Sequence, residues 1–184
     1  MRDIILASGS PRRKELLTLA GVEFTVKTAD TDEDVSPFLS PGEVVAELSK
    51  RKCLAVAKLY PDSTVIGADT VVAADEKILG KPKDENEAYE MLSMLSGRSH
   101  HVYTGVFIKS GENEISFCEK TEVTFFELTD DEIRAYIATG DCLDKAGAYG
   151  VQSKGCTLVE KINGDYYNVV GLPLAKTVRA LKNL

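Results

Sequence analysis

The chain contains short apolar segments separated by amphipathic ones. Strands are predicted where β-branched and apolar residues run together, at Ile4–Ala7 and at Thr64–Ala73. The second segment is almost continuously apolar, which is typical of a central strand buried on both faces. Two longer strands, Ser99–Lys109 and Glu114–Glu127, are predicted on either side of a turn at Ser110-Gly111.

Helices are predicted where apolar residues recur every three or four positions after a capping residue. The first follows Ser10, which suits an N-cap, with Pro11 at its first position and Gly21 as its end. Two more helices are predicted where a capping residue is followed three positions later by glutamate, after Asp84 with Glu87 and after Thr129 with Glu132. The remaining two helices are predicted over Glu43–Leu59 and from Pro173.

The pair Asn163-Gly164 is a strong signal for a tight hairpin turn. It predicts two antiparallel strands, Thr157–Ile162 and Tyr166–Val170. Strands and helices therefore alternate along the chain, while some neighbouring strands form hairpins. This pattern predicts an α/β fold with a mixed twisted sheet and flanking helices.

Length and charge narrow the classes of function. The 184 residues suit one domain that spans 1–184, and 43% apolar with 28% charged residues is ordinary globular usage. The net charge of −7 argues against nonspecific electrostatic binding to nucleic acid or to an anionic membrane. A polyanionic ligand would therefore need a local cluster of cations or a bound metal.

The sequence shows no targeting signal and no cysteine or histidine pattern typical of a metal site. Ile4–Ala7 is too short for a signal segment, and no apolar run reaches about 18 residues, so we expect a cytoplasmic protein without a membrane span. His100 and His101 would point to opposite faces of a strand, which makes a poor metal pair. Four cysteines lack C-x-x-C spacing and are expected to be reduced, small apolar residues: Cys53, Cys118, Cys142 and Cys156.

The segment Ser8-Gly9-Ser10-Pro11-Arg12-Arg13 joins the first strand to the first helix. Free N–H groups at a helix start bind anions, and guanidinium groups bind phosphate oxygens in a bidentate way. The segment is therefore a candidate phosphate site, although the spacing of a Walker A loop is absent. The alternative is a capped helix with two solvated arginines.

Lys52 and Asp69 are ionisable residues within apolar patterns. Lys52 lies on the apolar face of its predicted helix, so that it either extends its ammonium to solvent or meets an anion. Asp69 lies inside the buried strand, where an ionised carboxylate is unfavourable unless it is paired. A general base or a metal ligand would explain Asp69, and the alternative is a structural ion pair with Lys52 or Lys81.

Three weaker candidates complete the set. Glu33 lies in an acidic segment and could supply a metal ligand, although acidic loops are usually only solvated. Lys81 follows Gly80 and precedes Pro82, which would present its charge from a turn. Gln152 follows a glycine-rich segment and could recognise the edge of a base. Together with the phosphate candidates, these residues suit hydrolysis of a nucleoside polyphosphate near a divalent metal.

Eight blocks and the single residue Glu33 form a pattern that runs in order along almost the whole chain: Leu6–Arg13, Leu48–Lys52, Gly67–Val72, Gly80–Pro82, Leu95–Arg98, Val102–Val106, Asp144–Gly150 and Asn168–Pro173. This pattern resembles the Maf family of nucleotide pyrophosphatases, also called septum formation proteins. The resemblance implies a fold like that of inosine triphosphate pyrophosphatases, with two lobes around a central cleft. It also implies cleavage of a nucleoside triphosphate to the monophosphate and pyrophosphate, with Mg²⁺ or Mn²⁺ as cofactor.

The same resemblance assigns roles to residues. It implies that Asp69 accepts a proton, and that phosphates or metal are contacted by Ser8, Arg13, Glu33, Lys52 and Lys81, with Glu33 and Asp69 as metal ligands. Arg12, Thr70 and Gln152 resemble the branch that takes dTTP and UTP. Two alternatives stay open: a nucleotide-binding regulator of septum formation with little catalysis, and the same chemistry on modified purine triphosphates. A homodimer is a further expectation from the family.

Overall fold

The computed structural model describes residues 2–75 and 77–184. Seven strands occur in these residues: β1 (Ile4–Leu6), β2 (Thr25–Val26), β3 (Thr64–Ala74), β4 (Lys77–Leu79), β5 (Ser99–Ser110), β6 (Asn113–Phe125) and β7 (Val159–Asn163). The same residues form six α-helices: α1 (Pro11–Leu19), α2 (Pro41–Ala57), α3 (Glu85–Leu95), α4 (Asp130–Ile137), α5 (Tyr166–Val170) and α6 (Leu174–Lys182). None of these helices is both long enough and apolar enough to cross a bilayer.

All the described strands belong to one mixed sheet. Its order is β2-β1-β3-β5-β6-β7, and β4 pairs with β3 outside this path. β1 runs parallel to β2 and to β3, with Ile5 opposite Val65, whereas β3 with β4 and β6 with β7 are antiparallel. The predicted α/β class with a mixed sheet and flanking helices is confirmed.

The chain divides into two compact units. The first comprises the chain up to Thr70 together with Thr104–Glu119 and Gly171–Leu184, and the second comprises Val71–Tyr103 and Lys120–Val170. Strands β3, β5 and β6 contribute residues to both units.

The core of the first unit lies between the sheet and α2. Its buried cluster includes Ile5, Val65 and Phe107 from three strands, with Cys53 and Val56 from α2. The Cys53 thiol donates to the Val65 carbonyl over 3.2 Å, and burial raises the pKa of this thiol to about 12. Cys53 is therefore a packing residue. The structure shows all four cysteines as free thiols, two of them exposed on the surface, Cys118 and Cys156.

The second unit has an aromatic core. His100 is 1% exposed and packs edge-to-face against Phe125 and Tyr149. Its Nε2 shares a hydrogen bond of 2.7 Å with the Tyr149 hydroxyl, whereas Nδ1 has no partner in the part of the chain that the structure describes. Burial lowers the pKa of His100 to about 4, so this ring is neutral at pH 7.

The predicted hairpin at Asn163-Gly164 is wrong. β7 ends at Asn163, and Tyr166–Val170 forms α5. Asp165 Oδ1 accepts the N–H groups of Tyr167 and Asn168, which starts a helix in place of a returning strand. The partner of β7 is instead β6, which is distant in sequence. The turn signal at Asn163-Gly164 therefore did not produce a hairpin, because Asp165 caps a helix and β7 pairs with β6 instead.

Three smaller predictions about helix ends need correction. α2 begins at Pro41 rather than Glu43, because Ser40 and Glu43 form a capping box. The same helix ends at Ala57, so that Leu59 lies beyond it and is 66% exposed. At α3, Asp84 accepts the Glu87 N–H as predicted, but the Glu87 carboxylate accepts from Lys83 N–H instead of closing the box.

Candidate active site

Two predicted phosphate-site residues, Ser8 and Arg13, lie together with the predicted specificity residue Thr70 around the start of α1. The buried Arg13 guanidinium donates through Nη1 to Ser8 Oγ over 2.9 Å and through Nη2 to Thr70 Oγ1 over 3.0 Å. Its Nε donates to the Gly171 carbonyl over 2.8 Å. Thr70 Oγ1 also shares a hydrogen bond of 2.8 Å with Thr104 Oγ1. Arg13 therefore connects the segment after β1, strand β3 and the segment before α6.

Burial makes Arg13 different from a solvated arginine. Burial lowers its pKa, Asp69 opposes this shift, and Arg12 adds to it. Arg13 is only 8% exposed, so the alternative of two solvated arginines is wrong for this residue. Ser10 occupies the N-cap position, but its side chain makes no capping bond, and its N–H donates to Ser8 Oγ over 3.3 Å.

Lys52 and two carboxylates form the second group. The Lys52 ammonium lies 2.6 Å from Asp69 Oδ1 and 2.8 Å from Glu33 Oε1. The exposed fractions of the Lys52, Asp69 and Glu33 side chains are 20%, 13% and 64%. Burial lowers the Lys52 pKa, but attraction to Asp69 and hydrogen bonds with both carboxylates outweigh it, so that the pKa is raised. Of the two alternatives for Lys52, the structure shows contact with anions.

The backbone of α2 comes close enough to the sheet to make this contact. An added Cβ at Gly67 would lie 2.2 Å from the Ser49 carbonyl oxygen, and one at Gly105 would lie 2.3 Å from the Val45 carbonyl oxygen. Both glycines therefore let α2 pack directly on β3 and β5. Gly67 lies in one of the blocks that carry the family resemblance, but its role in helix packing is visible only in the structure. The sequence did contain one indication of this role, because a glycine inside a predicted strand often marks a close backbone contact.

A polar pocket adjoins the Lys52 group. Its volume is about 290 Å³, and it is lined by residues 7–9 and 28–31 with Glu33 and Lys52. Ser8 and Gly9 come from the segment before α1, and Lys52 supplies a cation from α2. The pocket therefore combines hydrogen-bonding groups with the Lys52 ammonium and two carboxylates, Asp30 and Glu33, a set that suits a phosphorylated ligand accompanied by a metal.

The remaining predicted site residues lie elsewhere along the chain. Arg12 is half-buried on α1 in the first unit, whereas Lys81 and Gln152 are exposed residues of the second unit. Gly80, just before Lys81, accepts the Gly147 N–H over 3.0 Å. Gln152 precedes Ser153, whose hydroxyl donates to Asp141 and to the Gly150 carbonyl. Residues 2–75 and 77–184 contain no cluster of three or more His, Cys, Asp or Glu side chains suited to a metal.

Comparison with known proteins identifies the family. A family model described as Maf-like protein matches residues 3–184. The chain belongs to the Maf-like family. This result confirms the resemblance inferred from the eight sequence blocks and Glu33.

Curated relatives of this Maf-like chain align over nearly its whole length. A protein of Bacillus cytotoxicus named dTTP/UTP pyrophosphatase is 56% identical over 182 residues, which cover 99% of this chain and 95% of that protein. A protein of Bacillus cereus with the same name is 54% identical over the same shares.

A solved structure supports the fold. The Staphylococcus aureus Ham1 protein aligns with a TM-score of 0.55 at 14% identity, covering 99% of this chain and 98% of that one. At this identity the likeness concerns the fold alone, and it agrees with the mixed α/β architecture predicted for this Maf-like chain.

Proposed function

We propose that this protein hydrolyses dTTP and UTP to the monophosphate and pyrophosphate, and that residues 1–184 act as one functional domain. The observation that carries the proposal is the Lys52 ammonium bonded to both Asp69 and Glu33 at the edge of a polar pocket. The names of relatives at 54% and 56% identity support the choice of nucleotides. Their alignment over 95% of their own length supports transfer of a whole activity.

In the proposed reaction Asp69 is the general base. A water oxygen attacks the α-phosphorus, its proton passes to the Asp69 carboxylate, and the bond from the α-phosphorus to the α–β bridging oxygen breaks. Pyrophosphate leaves with the bonding electron pair. Asp69 is 13% exposed and therefore retains contact with solvent, and the bond from Lys52 to Oδ1 orients its carboxylate.

The cations of the site stabilise the charge of the triphosphate. Lys52 lines the pocket directly, and Ser8 with Gly9 offers polar groups close to the start of α1, where the helix dipole favours anions. Arg13 binds Ser8 and Thr70 and so holds this surface in shape, with further N–H groups of its guanidinium left to donate. Lys81 is included in the proposal because of the family resemblance.

A divalent metal fits the donor set. Glu33 and Asp69 supply carboxylate oxygens that converge on one ammonium, and Mg²⁺ is commonly held by one or two carboxylates together with substrate phosphates. When bound, Mg²⁺ or Mn²⁺ would neutralise charge on the phosphates. Glu33 and Asp69 are therefore the proposed metal ligands.

Recognition of the base is assigned to Arg12, Thr70 and Gln152 by the family resemblance. Thr70 is fixed by its bonds with Arg13 and Thr104, so its hydroxyl has a defined position in the first unit. A cytoplasmic location remains a prediction from the sequence pattern, and a homodimer remains a prediction of the family resemblance.

The proposal is tested with purified protein and a panel of nucleoside triphosphates in the presence of Mg²⁺. We expect pyrophosphate, rather than orthophosphate, from dTTP and UTP, and loss of turnover after chelation. The panel includes modified purine triphosphates, because their preferential hydrolysis would support that alternative substrate class. Binding of nucleotide without turnover would instead support the regulator.

The role of Asp69 is tested with Asp69→Asn. This change keeps the shape of the side chain but removes the base, so kcat should fall by on the order of 10²–10⁴ while nucleotide binding persists. Asp62→Asn is a matched control, because Asp62 is exposed in the turn between α2 and β3. Unchanged turnover of Asp69→Asn would remove Asp69 as the base.

A further inference from the structure

Arg51 contacts the backbone on both sides of Glu33. Its Nη1 donates to the carbonyl oxygens of Asp32 over 3.1 Å and of Asp34 over 2.8 Å. Its Nε donates to Glu47 Oε1 over 2.7 Å, one turn earlier on α2. The guanidinium therefore bridges α2 and the acidic segment at the residues that flank Glu33.

Glu33 needs such support because its own surroundings fix it weakly. Residues 27–36 have no helix or strand, and the Glu33 side chain is 64% exposed. The Asp34 N–H donates to Asp32 Oδ1 over 2.8 Å, which closes a turn around Glu33. Arg51 holds this turn to α2 through its carbonyl groups, and the adjacent Lys52 holds the Glu33 carboxylate.

The two contacts differ in what happens when substrate arrives. In the proposed function the Lys52 ammonium turns towards phosphate oxygens, which compete with Glu33 for the same cation. The bonds from Arg51 end on backbone carbonyls and are independent of this competition. We propose that Arg51 is a positioning residue that keeps Glu33 at the pocket while Lys52 engages the triphosphate, an inference that rests on the proposed function.

A surface ion pair alone does not account for this arrangement. An exposed pair such as Arg51 with Glu47 needs only one acceptor, whereas here one planar guanidinium joins a carboxylate and two carbonyls. A lysine ammonium lacks the planar set of N–H donors that a guanidinium has. Arg51→Lys should therefore keep only part of the activity that Arg51→Met loses. The preceding Lys50 is exposed and lies over the Phe107 ring, which makes Lys50→Met a matched control.

A double-mutant cycle tests whether Arg51 acts through Glu33. Removal of a residue that orients a metal ligand typically lowers activity by about 10-fold or more, so we expect Arg51→Met to lower kcat/KM for UTP by about tenfold. In the Glu33→Gln background the same change should lower kcat/KM by less than about twofold, because the group it positions is already altered. Lys50→Met should match the unmodified protein. An equal loss in both backgrounds, or no loss at all, would overturn the inference.

Amide hydrogen exchange gives a second readout that needs no activity. We expect faster exchange over residues 30–36 in Arg51→Met, with an unchanged Tm, and no change in Lys50→Met. Unaltered exchange in Arg51→Met would refute the positioning role. If the unmodified protein releases no pyrophosphate from any nucleotide, the proposed function fails, whereas the exchange result still decides whether Arg51 holds the Glu33 segment.

Discussion

Gly67→Ala should disturb the packing that brings Lys52 to Asp69. The added Cβ would lie 2.2 Å from the Ser49 carbonyl oxygen and 2.7 Å from both the backbone N and the Cβ of Cys53. Ordinary contacts begin near 3.4 Å, so α2 would have to move away from β3 by about 1 Å. The opposing atoms belong to the helix backbone or lie next to it, and no side-chain rotation can relieve the clash.

Two magnitudes follow from this displacement. Overpacking of a well-packed core typically costs about 1–3 kcal/mol, and rigid backbone on the opposite side puts Gly67→Ala near 3 kcal/mol in the free energy of unfolding. The same shift carries Lys52 away from Asp69, which it now meets at 2.6 Å. A misplacement of about 1 Å at a catalytic group can lower the rate by about 100-fold. We expect both effects in this one variant.

Urea denaturation and steady-state hydrolysis of UTP measure the two effects. Gly80→Ala is the control for stability, because a Cβ there meets nothing within 4 Å and its φ is not positive. It should change the free energy of unfolding by less than about 1 kcal/mol. If Gly67→Ala unfolds at the same urea concentration as the unmodified protein, the close approach of α2 to β3 is wrong. If Gly67→Ala is destabilised but fully active, the distance between α2 and β3 does not determine the contact between Lys52 and Asp69.

Two further predictions concern the base site and acid stability. Gln152→Ala should shift the ratio of kcat/KM between UTP and GTP, measured with the same assay, and an unchanged ratio would exclude Gln152 from base recognition. His100 should make stability depend on pH, because burial lowers its pKa from 6.5 to about 4 and a second N–H at Nδ1 would lack an acceptor among the described residues. The neutral His100 ring makes its full contribution to the free energy of unfolding above pH 6.5. This contribution, about 3 kcal/mol in total, is lost as the pH falls towards 4. Urea denaturation at pH 7.5 and 5.0 should show a smaller pH effect in His100→Phe, and an equal loss in both proteins would contradict this explanation.

The sequence predicted those elements whose signals are local or strongly periodic. The apolar segment at Thr64–Ala73 became β3, and the pair Thr129 with Glu132 caps α4 as predicted. Asp69 was recognisable because a carboxylate inside such a segment conflicts with its surroundings. Local propensity and burial act over a few residues, so a single sequence is sufficient to reveal them.

Features that depend on distant partners could not be predicted in this way. The hairpin failed because the partner of β7 is β6, and no local turn signal specifies that pairing. The contacts of Arg51 with carbonyls carry no side-chain pattern, and 17 to 19 positions separate the bonded residues. For Arg13 the sequence left phosphate binding and a solvated side chain both open, because its partner Gly171 is 158 positions away.

The contact between Lys52 and Asp69 also bears on the structural alternative raised by the sequence. A purely structural pair would be expected to exclude solvent and to match one cation with one anion. Here the Asp69 side chain keeps 13% exposure, and Lys52 receives a second carboxylate from the exposed Glu33. An exposed ion pair contributes only about 0–1 kcal/mol. The Glu33 segment is held mainly by the bonds from Arg51 to the Asp32 and Asp34 carbonyls, so stability does not depend on the contact between Glu33 and Lys52. A second carboxylate held at the edge of a polar pocket is instead what a metal-dependent phosphate site requires, because the metal needs oxygen ligands beside the lysine that binds phosphate.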